Sequence, residues 1–581
     1  MSFYNARVER TDEFTRIWNI PRRVWTQAET DEAVRRMTDA LKLPHGTMEL
    51  FPIQAKALTE IGLYGGLLGP IPVGEGKTLI SLLAPYVLEA KRPVLLLPAG
   101  LIEKTQREML DLFKHWRIPR NIRMISIESL GRVGQANVLE AYTPDLIVID
   151  EAHRVKNKKA GVVRRLVRRH DANPNTRFVI MSGTMAKDGL DDFEHLSSWT
   201  LKERSPLPDN KGELLKWADV LDKSRDLRRT DPGVLLELCN EEEAKRPRFE
   251  AARLGFNRRL NETPGVISSQ GAEVGASIYL SAVTFSPKAV TNDNFRKLRS
   301  EWKTPDDWAL MQAVDVWRHA CELVCGLHYV WDPRPPEAWR MARSDWNKFV
   351  RDTLARSHSL DTPHQVELAV RDGEVPGGAL YLQAWKDQEP TFKPNSKPVW
   401  HDTSCLDVCQ AWGEKAPGII WTEHSFFGKE LARRAGWEYF GRDGVNAAGV
   451  PIDLRKAKHE GKTIVASRKA NATGRNLQAW SRNLVVSLPG CDLEQLIGRT
   501  HRPGQEADVI QVDIILACAE HLAAWESALL GAKMVRDMLG QKQKVLLADK
   551  VVDTRQFSVL QEPRWVKTLS EKDSKFVLPV I

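Results

Sequence analysis

Two stretches of this chain alternate short apolar runs with helical segments, and that alternation constrains the fold more than any other feature. Between about 50 and 195 the runs are VLLLP (94–98), IRMISI (122–127), DLIVID (145–150) and RFVIMSGT (177–184). Between about 403 and 520 they are GIIWTE (418–423), TIVAS (463–467), NLVVSLP (483–489) and DVIQVDII (508–515). Short, nearly continuous apolar runs suit strands buried on both faces. The helices between them supply the crossovers that parallel strands require. The expected fold class is therefore α/β, with two parallel-sheet lobes. Open sheets of this kind bind ligands outside the carboxyl ends of their strands, so the loops after these runs are where chemistry is expected.

The rest of the chain divides by composition. Residues 1–45 read as an N-terminal segment with helical patches, and 46–200 as the first lobe. Residues 201–289 read as a charged, helical extension of that lobe, ending in the strand-like ASIYLSAVTF (276–285). Residues 290–402 form a Trp-rich helical insertion, since ten of the 19 tryptophans lie between Trp302 and Trp421. Within it WALMQAVDVWRHACELVCGLHYVW has helical spacing, and TFKPNSKP (391–398) reads as a linker. Residues 403–520 are the second lobe, and 521–581 a C-terminal helix and tail.

Composition removes several classes. Hydrophobic residues are 42% and charged residues 28%, which is globular rather than disordered or fibrous. No apolar run approaches the roughly 18 residues of a membrane span, so no membrane partner is expected. The opening MSFYNARVERTDEF is polar and partly acidic, unlike a secretory leader. Seven cysteines in 581 residues suggest a reducing compartment, hence a cytoplasmic location. The net charge of +8 permits a nucleic-acid partner. That excess matches one stretch, residues 154–170, which holds eight Lys and Arg and no acid.

Four motifs carry chemistry. Gly74-Glu75-Gly76-Lys77-Thr78 opens a helical run. Its glycines allow a phosphate to approach the backbone, Lys77 would neutralise that phosphate, and Thr78 would hold Mg²⁺. Ile71 stands where the full phosphate-loop pattern has its first glycine. DLIVIDEAH (145–153) ends an apolar strand in two carboxylates. Asp150 would coordinate Mg²⁺ and Glu151 would polarise the attacking water. Ser182-Gly183-Thr184 closes another strand, where hydroxyls could sense the γ-phosphate. QLIGRTHRPGQ (495–505) places Arg499 and Arg502 three apart, a spacing that predicts one helical face. Two arginines there would suit the charge on a transferring phosphoryl group.

Taken together these residues resemble the superfamily-two DEAH-box ATPases and, more narrowly, the Swi/Snf-like DNA translocases. The narrower resemblance rests on DEAHRVKN (150–157), NATGRNLQ (471–478) and QLIGRTHRPGQ followed by VIQVDII. It covers about two-thirds of the chain, and a bare motor with one insert and no obvious chromatin-reading or DNA-recognition module suits a compact bacterial or phage-type member. It implies two RecA-like lobes with ATP and Mg²⁺ as cofactors. It implies that Gln54, in LFPIQAKAL, reads adenine. It implies that Gln495, Arg499 and Arg502 complete the ATP site, and that Gly474 and Asn476 couple nucleotide to DNA grip. Pro98 with the following turn matches a segment touching the nucleic-acid backbone, and Arg258 and Arg259 resemble a basic segment joining the lobes. The chain departs from the pattern at Ile71-Pro72, Met185, Arg475 and Cys491-Asp492-Leu493, which bears on coupling and substrate preference rather than on hydrolysis.

The expected function is ATP-driven movement along double-stranded DNA, with a monomer favoured. A strand-separating helicase on DNA or RNA, and an ATP-gated clamp acting through a protein partner at 290–402, are the alternatives. Three features have two readings. Arg164, Arg165, Arg168 and Arg169 suit a phosphate-tracking face or a solvated helix. Cys321, Cys325, Cys405 and Cys409 suit zinc or a buried core. The tryptophans suit base stacking or core packing.

Overall fold

Along the strand Pro93–Leu97, Val94 and Leu96 enter one apolar cluster while Leu95 and Leu97 enter another. Ile147 and Ile149 likewise part from Leu146 and Val148, and Phe178 and Ile180 from Val179 and Met181. Successive strand residues point to opposite faces, so both faces of this sheet are covered, as the apolar runs require. A computed structural model of the chain describes residues 6–72, 75–132, 135, 137–158, 160–183, 189–190, 193–222, 230–268, 276–310, 313–357, 359–441, 444–452, 462–472, 475–487, 493–502 and 504–551.

The described residues fall into two compact units. The first takes those within 1–272, 344–383 and 530–543; the second takes those within 273–343, 384–529 and 544–581. The first unit is built on five parallel strands: β1 (Leu67–Gly69), β2 (Pro93–Leu97), β3 (Arg123–Ser126), β4 (Leu146–Asp150) and β5 (Arg177–Met181). Their order is β1-β5-β4-β2-β3. The second unit has seven parallel strands: β6 (Ser277–Val283), β7 (Ile419–Thr422), β8 (Glu438–Phe440), β9 (Ile464–Ser467), β10 (Arg482–Val485), β11 (Val509–Ile515) and β12 (Asp549–Val551). Their order is β8-β9-β7-β10-β11-β6-β12. The chain is thus a mixed α/β protein with parallel sheets. No helix among the described residues is long and apolar enough to cross a membrane.

The expected boundaries shift in three places. Strand β6, placed by sequence at the end of the first lobe's extension, pairs along its whole length with β11 in the second sheet. The 290–402 insertion is not one body, because its residues 344–383 belong to the first unit and the rest to the second. The long helix expected from Trp308 to Trp331 covers only Ala313–Val324. Gly326, at φ +78°, then turns the chain into a strand, Leu327–Trp331. That strand pairs antiparallel with Ser396–Trp400, so the last three residues of the expected linker TFKPNSKP are in a strand. A two-stranded ribbon tolerates Pro398, because its outer edge needs no donor.

Candidate active site

Parallel strands bring their carboxyl ends to one edge of a sheet. In the first unit β1, β5 and β4 are neighbours, so the residues after Gly69, Met181 and Ile149 meet there. The chain leaving β1 leads to the helix Lys77–Val87, which follows Gly76 at φ +74° and has no side-chain cap. A Cβ at Gly76 would come within 2.0 Å of Gln54 Nε2. Conformation and space both demand glycine. Gln54 is buried and fixed: its Oε1 accepts from Phe51 N at 2.8 Å and its Nε2 donates to Gly76 O at 3.3 Å. The residue expected to read adenine therefore rests on the Gly76 turn.

Lys77 is buried at the start of this helix. Its ammonium donates to the carbonyls of Ile71 and Pro72, both at 3.1 Å. Thr78 follows, half-buried, and Glu75 precedes, also half-buried. Asp150 ends β4 and accepts from Glu151 N at 2.9 Å. Glu151 is buried and holds φ +59°, a backbone region costly for a residue with a Cβ. His153 Nδ1 lies 3.4 Å from Glu151 Oε2 and 3.3 Å from Ser182 Oγ. Ser182 is buried and donates its N–H to Gly69 O at 3.1 Å, which closes the cluster onto β1. His153 was not singled out from sequence as a site residue, though it is the last letter of the DEAH run. Gly183 follows Ser182. Gly74, Thr184 and Gly474 lie outside the described residues.

The electrostatics point to a cation. Burial and repulsion from Glu151 push the Asp150 carboxyl up to about 6, against the pull of Lys77. A carboxyl near 3.8 when unfolded and near 6 when folded resists ionisation in the native state. The penalty is absent below about pH 4, grows between pH 4 and 6, and is complete above 6. Asp150→Asn is therefore expected to raise the melting stability at pH 7.5 by about 1–3 kcal/mol. The gain should vanish near pH 4. A thermal melt of both proteins at the two pH values checks this, and an unchanged or lower stability at pH 7.5 contradicts it.

The same residues suit a nucleotide phosphate with its metal. An uncapped helix start offers backbone N–H groups and a partial positive charge. Lys77 is held by neutral carbonyls, so an anion would be a stronger partner. Asp150, raised by burial beside Glu151, gains from a divalent cation, and Thr78 offers a hydroxyl on the first helical turn.

In the second unit the two motifs singled out from sequence meet. Leu477 N donates to Arg499 O at 3.0 Å. Arg502 donates to Arg475 O at 3.2 Å and to Asn476 Oδ1. Gln505 Nε2 donates to Thr500 O at 2.9 Å and Trp480 O at 3.2 Å, locking the turn beyond the helix. The helix spans Leu493–Thr500, so Arg502 lies past its end and does not share a helical face with Arg499 as the spacing suggested. Gln495 and Arg499 are both buried on that helix. Glu494, beside them, caps the short helix Lys544–Leu547 by accepting from Lys544 N at 2.9 Å and Val545 N at 3.1 Å. At the carboxyl ends of β7 and β9, Glu423 is held at about 2, despite burial, by Arg468 at 3.0 Å and Lys469 at 3.1 Å. Sequence reading missed this trio, since nothing local joins its members.

The basic stretch takes neither of its two expected readings. Arg165 is fully buried and donates to Leu130 O and, at 2.7 Å, to Arg132 O. Arg169 is buried and donates to Pro144 O at 2.9 Å, and Arg164 to Leu360 O at 2.8 Å. Arg168 pairs with buried Asp361 at 2.6 Å. These guanidiniums hold the first unit together. Arg258 and Arg259 are likewise committed, to Glu243 at 3.1 Å and to Ile20 O at 2.9 Å, and do not present a free basic segment. The four cysteines of interest are buried, three of them in one apolar cluster with Cys518.

Fold and site together define a mixed α/β protein that carries a lysine, an uncapped helix start and paired carboxylates on one sheet edge. No known protein family and no curated protein matches the sequence.

Proposed function

We propose that this chain is an ATPase of the Swi/Snf-like DNA-translocase kind, built on two RecA-like lobes, that hydrolyses ATP and moves along double-stranded DNA. The observation that carries this reading is the cluster of buried Lys77, half-buried Asp150 and buried Glu151 beside the uncapped helix start. In it Lys77 neutralises the β- and γ-phosphates and Gln54 orients the base. Glu151 holds the attacking water and accepts its proton. His153 and Ser182 link that carboxylate to the end of β5. Mg²⁺ arriving with the nucleotide supplies charge neutralisation, and Thr78 and Asp150 are the residues to hold it. Gln495, Arg499 and Arg502 are the residues of the second unit that the resemblance assigns to ATP hydrolysis. Asn476, bonded to Arg502, ties that arginine to the segment expected to couple nucleotide with DNA.

Contacts with a nucleic-acid backbone carry little sequence information, so movement is sequence-independent. Displacement of a third strand from a DNA triplex tests this. ATP-dependent release of the third strand, with no strand release from a forked duplex, is the expected result. Release from the fork turns the reading to an unwinding helicase, and release from neither removes the motor.

A further inference from the structure

Residues 344–383 carry a second site, apart from the catalytic edge. Trp346, Phe349 and Tyr381 form a ladder of stacked rings. Trp346 and Phe349 lie 5.8 Å apart at 18°, and Phe349 and Tyr381 5.3 Å apart at 26°. Gly378 permits this approach, since a Cβ there would meet the Phe349 ring at 2.8 Å. The last ring, Tyr381, is 44% exposed. It lines a cleft of about 570 Å³, within the range of small-molecule sites. One wall is a face of the helix Glu337–Arg356, where Asp345, Lys348, Asp352 and Arg356 recur at helical spacing. Glu374 also lines the cleft.

The lining chemistry decides among ligands. Lys348 and Arg356 only donate hydrogen bonds, and the three carboxylates only accept. None of the five is in an ion pair among the described residues. A phosphate, which only accepts, would meet three carboxylates. A guanidinium or ammonium, which only donates, would meet two cations. A nucleobase carries donors and acceptors on one flat edge and a face that extends the ladder. We infer that this cleft takes an unpaired nucleobase, stacked on Tyr381 and read at its edge by these charged groups. The inference rests on the nucleic-acid part of the function proposed above, and it does not require hydrolysis.

The test is fluorescence of a single-stranded oligonucleotide carrying 2-aminopurine, titrated with the full chain at low salt without ATP. Stacking should quench the probe. Tyr381→Ala should weaken binding about tenfold, within the range for loss of one base–aromatic stack, and Tyr381→Phe should restore it. A fully paired duplex of the same sequence should compete poorly for the quenched state. Tyr381 is half-exposed at the end of its ladder, so the alanine variant should keep its melting temperature, measured in parallel. Equal binding by Tyr381→Ala and wild type, absence of quenching by wild type, or displacement of the probe by an arginine-rich peptide alone overturns the assignment. Stimulation of ATP hydrolysis by duplex DNA, measured separately, reports on the motor. A stimulated enzyme with an unquenched probe rejects this site and leaves the motor standing.

Discussion

Glutamine in place of Glu151 is expected to lower ATP turnover by about two to four orders of magnitude, the usual contribution of a positioned general base. The substitution keeps volume and removes only the charge and the basic oxygen. Nucleotide binding should change little, because Lys77, Gln54 and the helix start remain. Lys77→Ala should do the reverse and lose binding first, since that ammonium is the charge beside the Gly76 turn. Single-turnover hydrolysis with equilibrium binding of a fluorescent nucleotide separates the two outcomes. Turnover at the wild-type rate in Glu151→Gln would remove Glu151 from the chemistry. The burial of Glu151 and its approach to His153 make a simple surface role a poor account of it.

Alanine at Asp361 is expected to cost about 3–5 kcal/mol, the usual penalty for removing one partner of a buried pair. Asp361 is 0% exposed at its side chain and faces Arg168 at 2.6 Å and Arg165 at 3.5 Å. Arg165 is itself at 0%. Without the carboxylate two guanidiniums lie side by side in a medium that solvates them poorly. Burial already pulls the Arg165 guanidinium below its usual range, with Asp361 opposing. The helix Gly161–Ala172 that carries both arginines follows the DEAH strand end, so the loss should appear as early melting of the first unit. Leucine in place of Arg165 and Arg168 together with Asp361→Leu should recover part of the stability, since matched apolar groups can replace a buried pair. A melting profile of Asp361→Ala equal to wild type contradicts this account.

What the sequence made legible was local. The DEAH strand end could be read because Leu146–Ile149 are apolar and the two carboxylates follow directly. Lys77 could be read because a glycine and a threonine flank it at the start of a helical run. The partner of Ser277–Val283 could not be read, because its sheet neighbour lies far along the chain. Ser281 and Asp513, bonded across that pair, are 232 residues apart. The arginines of 161–172 looked like surface charge for the same reason. Arg164 donates to a carbonyl 196 residues away, and no local signal marks that a positive helix will be covered. Arg502 was misplaced by extending the helical period two residues beyond Thr500, where Gln505 instead locks a turn. The strand Ser396–Trp400 was hidden by its Lys, Pro and Ser content, which resembles a linker until the pairing with Leu327–Trp331 is known.

The most direct test of the central claim is steady-state ATP hydrolysis by the purified chain at low salt. It is run without nucleic acid, then with duplex DNA, single-stranded DNA and duplex RNA. Mg²⁺-dependent turnover, stimulated strongly by duplex DNA and little by the others, is the result this account predicts. Turnover that no nucleic acid changes would contradict the motor and point to a nucleotide-gated switch. No turnover at all, with Lys77, Asp150 and Glu151 intact, would contradict the site itself.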